Sequence, residues 1–206
     1  GLENFDYGSS FGYGWVRQGF TSNLTGELRA EADEDGAAAG IGADVLIGRL
    51  GVLSGGFAGS SGPNGTGTRY LIGFDRQTPF VSFGARYTHA SPHYREIGDT
   101  GPQISEWSTA FLRTSFGRYG SAAFGYTAQR YYDDQPLTIY SASYSFNIGT
   151  RAFVTLTGAK ILSHQNQAQA LALLTVPLGP LVSASGSVQT FRQGGESTTL
   201  GEAVVQ

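Results

Sequence analysis

Leu24-Thr25-Gly26-Glu27-Leu28-Arg29-Ala30-Glu31-Ala32-Asp33 alternates small or apolar residues with polar and charged ones. A period of two is the geometry of a β-strand, whose successive side chains leave opposite faces. One face carries Leu24, Gly26, Leu28, Ala30 and Ala32; the other carries Thr25, Glu27, Arg29, Glu31 and Asp33. What the apolar face meets decides the fold. A soluble sandwich packs it inward and leaves charges in solvent. A membrane barrel turns it to lipid and lines a wet lumen with the polar face.

The same alternation runs through the chain. It predicts strands at Phe11 to Gln18, Leu24 to Asp33, up to Ile47, Val52 to Gly59, Arg69 to Arg76 and Val81 to Thr88. Further strands are expected at Trp107 to Phe116, Ser121 to Tyr131, Leu137 to Asn147, Ala152 to Lys160, Gln169 to Val176, Leu181 to Gln189 and Thr199 to Val205. Short turns are expected near residues 22, 49, 78, 118, 149 and 178, giving a hairpin repeat of about 30 residues. Longer loops are expected at Asp33 to Gly36, Ser60 to Thr68, His89 to Ser105, Tyr132 to Gln135 and Ser163 to Gln167. About a dozen strands of similar length, with alternately short and longer connections, point to an antiparallel transmembrane β-barrel wall. The expected strands are longer than the roughly 5–6 residues usual in globular proteins.

Composition agrees. The chain has 206 residues, of which 14% are charged, 31 are Gly, 11 Tyr and 13 Phe; soluble domains carry about 25% charge. Mean hydropathy lies near zero, as suits a sheet with one face in lipid and the other in water. No Cys is present, which excludes disulfides and thiolate metal sites. A net charge of −3 gives no electrostatic footprint for nucleic acid. The lack of Met suggests a processed protein or an internal piece of a longer one. No run of ~18 apolar residues supports a transmembrane helix; the nearest, Ala168 to Val182, is broken by Pro177 and Pro180.

The face holding Phe11, Leu28, Ile41, Ile72, Phe83 and Tyr144 is taken as lipid-facing. The polar residues expected to face the lumen are Glu27, Arg29, Glu31, Asp44, Arg69, Asp75, Arg86 and Arg113, with Arg17 or its neighbour Gln18. Tyr13, Trp15, Tyr87, Tyr140 and Tyr144 are expected as membrane-interface aromatics. Tyr119, Tyr131 and Tyr132 also lie near strand ends.

No constellation supports catalysis. His89 and His93 flank Pro92 in a loop, near Glu96 and Asp99, where nothing fixes both rings for a metal. His89 with Ser91 and Asn64, or His164 with Ser163 and Asn166, lack a nucleophile elbow. Gly65-Thr66-Gly67 has no P-loop Lys, and the sequons Asn23-Leu24-Thr25 and Asn64-Gly65-Thr66 read as chance. The expectation is a non-enzyme with no catalytic, cofactor-binding or metal-binding residue.

Several pieces, in order, resemble one family. Asp6-Tyr7-Gly8, then Tyr13-Gly14-Trp15-Val16-Arg17-Gln18-Gly19-Phe20-Thr21-Ser22-Asn23-Leu24-Thr25, is similar to the strand and turn after the plug domain of outer-membrane ushers in chaperone–usher pilus systems. The stretch from Gly40 through Gly48-Arg49-Leu50-Gly51 to Ser54 resembles a barrel hairpin of that family. Ser82 to Thr88, Gly117-Arg118-Tyr119-Gly120-Ser121 and Thr175-Val176-Pro177-Leu178-Gly179 resemble later strands and turns. The resemblance implies that residues 1–206 are part of a larger usher-type barrel. Neither the plug nor the amino- or carboxy-terminal periplasmic domains are seen in these residues. It also implies a multi-pass place in the bacterial outer membrane and a role in pilus-subunit secretion and assembly. The implied partners are membrane lipid, pilus subunits, periplasmic chaperone–subunit complexes, and the usher's own plug and remaining strands. A stand-alone small porin or surface barrel is the alternative.

Overall fold

The computed structural model describes residues 10–98, 101–149, 152–164, 166–178 and 182–205. Asp6-Tyr7-Gly8, Asp99, Gln165, Leu181 and parts of the turns at 148–151 and 177–180 lie outside the described residues. The strands are β1 (Gly12–Thr21), β2 (Leu24–Ala32), β3 (Ala37–Ile47), β4 (Gly51–Gly62), β5 (Gly65–Gln77), β6 (Val81–Ala90) and β7 (Ile104–Ser115). After a 3-10 turn at Gly117–Tyr119 come β8 (Ser121–Tyr131), β9 (Leu137–Ile148), β10 (Ala152–Leu162), β11 (Gln167–Pro177), β12 (Ser183–Gln193) and β13 (Glu196–Val205). They form one antiparallel sheet of 13 strands in sequence order. By chain contacts they divide into two units: residues 1–74, 86–107 and 131–134, and residues 75–85, 108–130 and 135–206.

One expected loop is largely strand, and the last strand starts earlier than expected. Ser60, Ser61 and Thr66 to Thr68 belong to β4 and β5, joined by the two-residue turn Pro63-Asn64. β13 begins at Glu196, after the turn Gly194-Gly195, rather than at Thr199. At Ser60 to Thr68 the Ser and Gly residues read as loop-formers, but a polar sheet face uses the same residues. Both glycines of the second turn have positive φ, +59° and +93°, which suits a two-residue hairpin. Short and long connections therefore do not alternate strictly. The long outlier is 91–103.

In the first unit the register sorts every side chain onto one of two faces. Val16 pairs with Leu28, Leu28 with Ile41, and Ile41 with Phe57. These four form a row across β1–β4, each 54–63% exposed. The neighbouring row on that face is Gly14, Ala30, Ala39 and Gly59. On the other face Arg17 pairs with Glu27, Trp15 with Arg29, and Tyr13 with Glu31. This corrects the sequence reading, which put Phe11, and with it Tyr13 and Trp15 by alternation, on the face of Leu28. Their alternation within β1 was seen, but only the β1–β2 pairing shows which face of β2 they join. Tyr13 and Trp15 cannot be lipid-interface residues while Glu31 and Arg29 face a lumen.

In the second unit, Tyr144, Leu156, Ala172 and Val188 form an apolar row across β9–β12. The opposite face holds Ser143 paired with Thr157, and Ser145 paired with Thr155. The hydroxyls of Ser145 and Thr155 lie 3.1 Å apart.

The start of β8 depends on Gly120. Its φ is +107°, and an added Cβ would lie 2.1 Å from the Ser145 carbonyl oxygen. Gly120→Ala is expected to destabilise the protein by about 1–3 kcal/mol through backbone strain alone. Gly55→Ala, where a Cβ meets nothing within 4 Å, should change it by less than about 0.5 kcal/mol. Urea titration of both variants checks this, and equal midpoints would refute it.

Candidate functional site

The charged face of the first unit forms a groove. Arg17 of β1, Glu27 and Arg29 of β2, Asp44 of β3, Arg69 of β5 and Arg86 of β6 line it. Its floor is shallow because Gly42 lies between Glu27 and Gly56 in the register, and Gly40 between Arg29 and Ala58. The Arg17 guanidinium donates to Asp44 at 2.6 Å, and the Ser54 hydroxyl donates to the other Asp44 oxygen at 2.6 Å. Half of the Arg17 side chain is in solvent, so this pair contributes little to stability. Its effect is to hold Asp44 in place. Glu27 and Arg86 make no hydrogen bond or ion pair to another described residue.

The described residues of the 91–103 connection fold onto this face. Ser91 fixes its start: its amide donates to the Thr68 carbonyl at 2.8 Å, and its hydroxyl accepts from the Thr68 amide at 2.8 Å. The Gln103 side chain donates to the Ser91 and Tyr94 carbonyls, each at 3.0 Å. The Arg95 amide reaches the Ser60 hydroxyl at 3.1 Å. Tyr94 then sits directly on β5. A Cβ at Gly67 would lie 2.1 Å from the Tyr94 nitrogen, so the seat exists only because residue 67 has no side chain. Tyr94 is 5% exposed and clusters with buried Ala58 and Ala90. With Ala38, these are the buried apolar side chains among the described residues.

Two residues further on, one oxygen of Glu96 collects three donors. Arg29 and Arg69 both bind it, Arg69 at 2.5 Å, and the Tyr94 hydroxyl donates at 3.2 Å. Arg69 also lies over the Tyr94 ring, 5.1 Å from its centre. The Ile97 amide donates to Glu31 at 3.2 Å. Burial works against ionisation of Glu96, but the Arg29 hydrogen bond and the two guanidinium charges outweigh it. Its carboxyl is held below the ordinary value. Burial pushes the Tyr94 hydroxyl up, with the Arg69 charge opposing and the Glu96 charge adding.

Of the residues expected at a lumen, Arg29, Glu31 and Arg69 thus meet the 91–103 connection. Asp44 pairs with Arg17, and Glu27 and Arg86 share the groove. Asp75 and Arg113 belong to the second unit. There a Cβ on Gly84 would lie 2.9 Å from an Asp75 oxygen, and Arg113 lies over the Phe111 ring at 5.5 Å. Of the expected interface aromatics, Tyr87 stands 6.1 Å from Tyr70. Tyr140 contacts Tyr126 at 5.4 Å, and Tyr144 stacks on Phe146 and donates to the Tyr119 carbonyl. Tyr94, Glu96 as a partner of arginines, and Gly67 were missed from sequence. The sequence offers no signal for them: Arg29 already has Glu27 and Glu31 two residues away on its own strand face, so nothing in it points to an acid in a distant connection. Among the described residues no group of three His, Cys, Asp or Glu could hold a metal.

The arrangement covers a charged surface with the chain's own connection and balances its charge. Because Glu96 has a depressed pKa, its contribution is complete above the unfolded carboxylate value and is lost as pH falls through the folded one. Amide exchange over Tyr94–Ile97, corrected for intrinsic rate at each pH, should therefore show protection at neutral pH that falls only in acid. Gly67→Leu and Glu96→Gln should remove that protection at neutral pH, and unchanged exchange in both would refute the latch.

No protein-family model matches this sequence, and no curated protein does. Solved structures match in fold. A structure of the P pilus usher (PapC) translocation pore superposes with a TM-score of 0.66 at 17% identity, covering 95% of this chain and 48% of the pore. A second structure of the PapC usher translocation pore gives 0.58 at 15% identity, covering 95% of this chain and 54% of that one. Acinetobacter baumannii OccAB4 gives 0.52 at 8% identity, covering 96% and 64%. The chain spans about half the length of the usher pores it matches. Its 13-stranded antiparallel meander shares the fold of the strands it covers in all three of these structures.

Proposed function

We propose that this chain forms part of the wall of an outer-membrane usher pore, through which pilus subunits pass as they assemble. The observation that carries the reading is the Val16–Leu28–Ile41–Phe57 row, solvent-exposed on one face while charges of both signs occupy the other. A large apolar band of this kind needs a cover, and lipid supplies one without a second protein layer. Strand length agrees. Strands of 9–13 residues are roughly 30–40 Å long at ~3.3 Å per residue, and a barrel tilt of ~35–45° brings them near the ~25 Å apolar band. The fold likeness to the usher pore supports the same reading.

In this role the wall has no reaction to catalyse. Its work is to present a hydrated surface that a folded passenger can slide past. Gly40, Gly42 and Gly56 beneath charges of both signs offer no deep apolar pocket for a passenger to lodge in. Chaperone–subunit complexes would deliver the passengers, and a plug and further strands of the same protein would complete the pore. The energy would come from strand exchange between subunits, a form of β-augmentation, rather than from a nucleotide.

A small-solute channel is the second reading. The 91–103 connection lying across a charged face favours it, because a loop held there narrows a lumen. Deleting the gene separates the two. The usher reading expects surface pili and secreted subunits to vanish with solute uptake unchanged, and the reverse result would establish the channel. Both need the same lipid face. Ile41→Arg should cost about 2–4 kcal/mol of folding free energy in vesicles, measured by denaturant titration, whereas Gly42→Ser on the other face should cost little. Equal effects would sink the orientation.

A further inference from the structure

The apolar face of β9–β13 carries two charges, Lys160 and Arg192. They stand in one row: Tyr126 pairs with Tyr140, Tyr140 with Lys160, Lys160 with Ala168, and Ala168 with Arg192. The two cations therefore flank the small Ala168 side chain on β11, with their backbones about 9–10 Å apart. Both are exposed. Neither makes a hydrogen bond or ion pair with another described residue, and no acid shares their face in these strands. Two cations at that spacing repel each other and gain from an anion placed between them.

A groove of about 590 Å³ begins at Lys160. Phe124, Tyr126 and Tyr140 wall it, and Ala142 and Gly158 form its floor. Phe124, Ala142 and Gly158 are themselves one row of the register, so the floor is low because two consecutive strands carry almost no side chain there. The Tyr126 and Tyr140 rings contact each other at 5.4 Å beside the basic end. An apolar trough, two aromatic rings and two free cations in sequence match the parts of a phospholipid: acyl chain, interfacial glycerol region and phosphate.

We propose that Lys160, Arg192 and this groove form a binding site for one anionic phospholipid, with its phosphate between the two cations and an acyl chain over Ala142 and Gly158. The proposal rests on the reading of this face as lipid-facing. A cation deep in the membrane is costly, but near the headgroups it is nearly neutral. Phosphate contact there turns it into an attraction.

The test uses the purified protein in neutral detergent, with phosphatidylglycerol and phosphatidylcholine as probes and native mass spectrometry as readout. Phosphatidylglycerol should be retained about thirtyfold better than phosphatidylcholine, given two basic contacts. Lys160→Gln with Arg192→Gln should remove that preference. Ala142→Phe, which fills the trough and keeps both charges, should reduce retention of phosphatidylglycerol. It also serves if the double variant does not fold. Displacement of the lipid by excess inorganic phosphate would overturn the proposal in favour of a free-anion site, as would an undiminished preference in both variants. Insertion into phosphatidylcholine vesicles is scored on the same samples. Insertion without a headgroup preference defeats this site alone, whereas failure of the unaltered protein to insert defeats the membrane reading beneath it.

Discussion

The hydrogen-bonded ladder between consecutive strands is the constraint on which the rest of this molecule depends. It ties each residue to a partner across the strand, and the partner's face becomes its own. A slip of one residue in any pair would carry a whole strand's charges to the apolar side. Val16, Leu28, Ile41 and Phe57 stand together because three successive registers agree. Arg17 reaches Asp44, 27 residues away in sequence, for the same reason. In most folded domains a buried core would enforce such agreement. Here almost nothing among the described residues of either unit is buried.

That scarcity makes the buried cluster found among the described residues informative. It lies beneath Tyr94, where an irregular connection presses against glycine and alanine on the charged face. Backbone groups of such a segment must find partners. They do so on β4, β5 and β2, through the Ser60 hydroxyl, the Thr68 carbonyl and the Glu31 carboxylate. The sheet face had to be both polar and low at that point: polar to supply hydrogen bonds, low to admit the chain. Gly67 and Ala58 provide the space, and Arg29 and Arg69 supply the charge that Glu96 answers.

The strands were legible because each repeats a two-residue signal about five times, enough to stand out over a residue or two of local noise. The turns were less so. Ser60-Ser61-Gly62 and Glu196-Ser197-Thr198 look like loops one residue at a time, yet they are strand, because small polar residues also suit a sheet face that meets water. The faces of β1 were separable but not assignable. Alternation within a strand says that Trp15 and Val16 oppose each other, and only pairing with β2 says which of them joins Arg29. The Glu96 contacts could not be read at all. They join residues 67 positions apart in sequence, through a segment with no periodicity to reveal its direction.

Every strand is hydrogen-bonded to its neighbours in sequence, so each pairing closes only a short stretch of chain. A sheet of this kind can grow hairpin by hairpin, since loop-closure entropy is met in small steps. The contacts of Glu96 and Ile97 are the exception, since they wait for β2, β3, β4 and β5 to be aligned before their partners share a surface. Docking of that connection is then a late event in folding, and a vacant Arg29–Arg69 pair marks a chain whose wall is assembled but not yet finished.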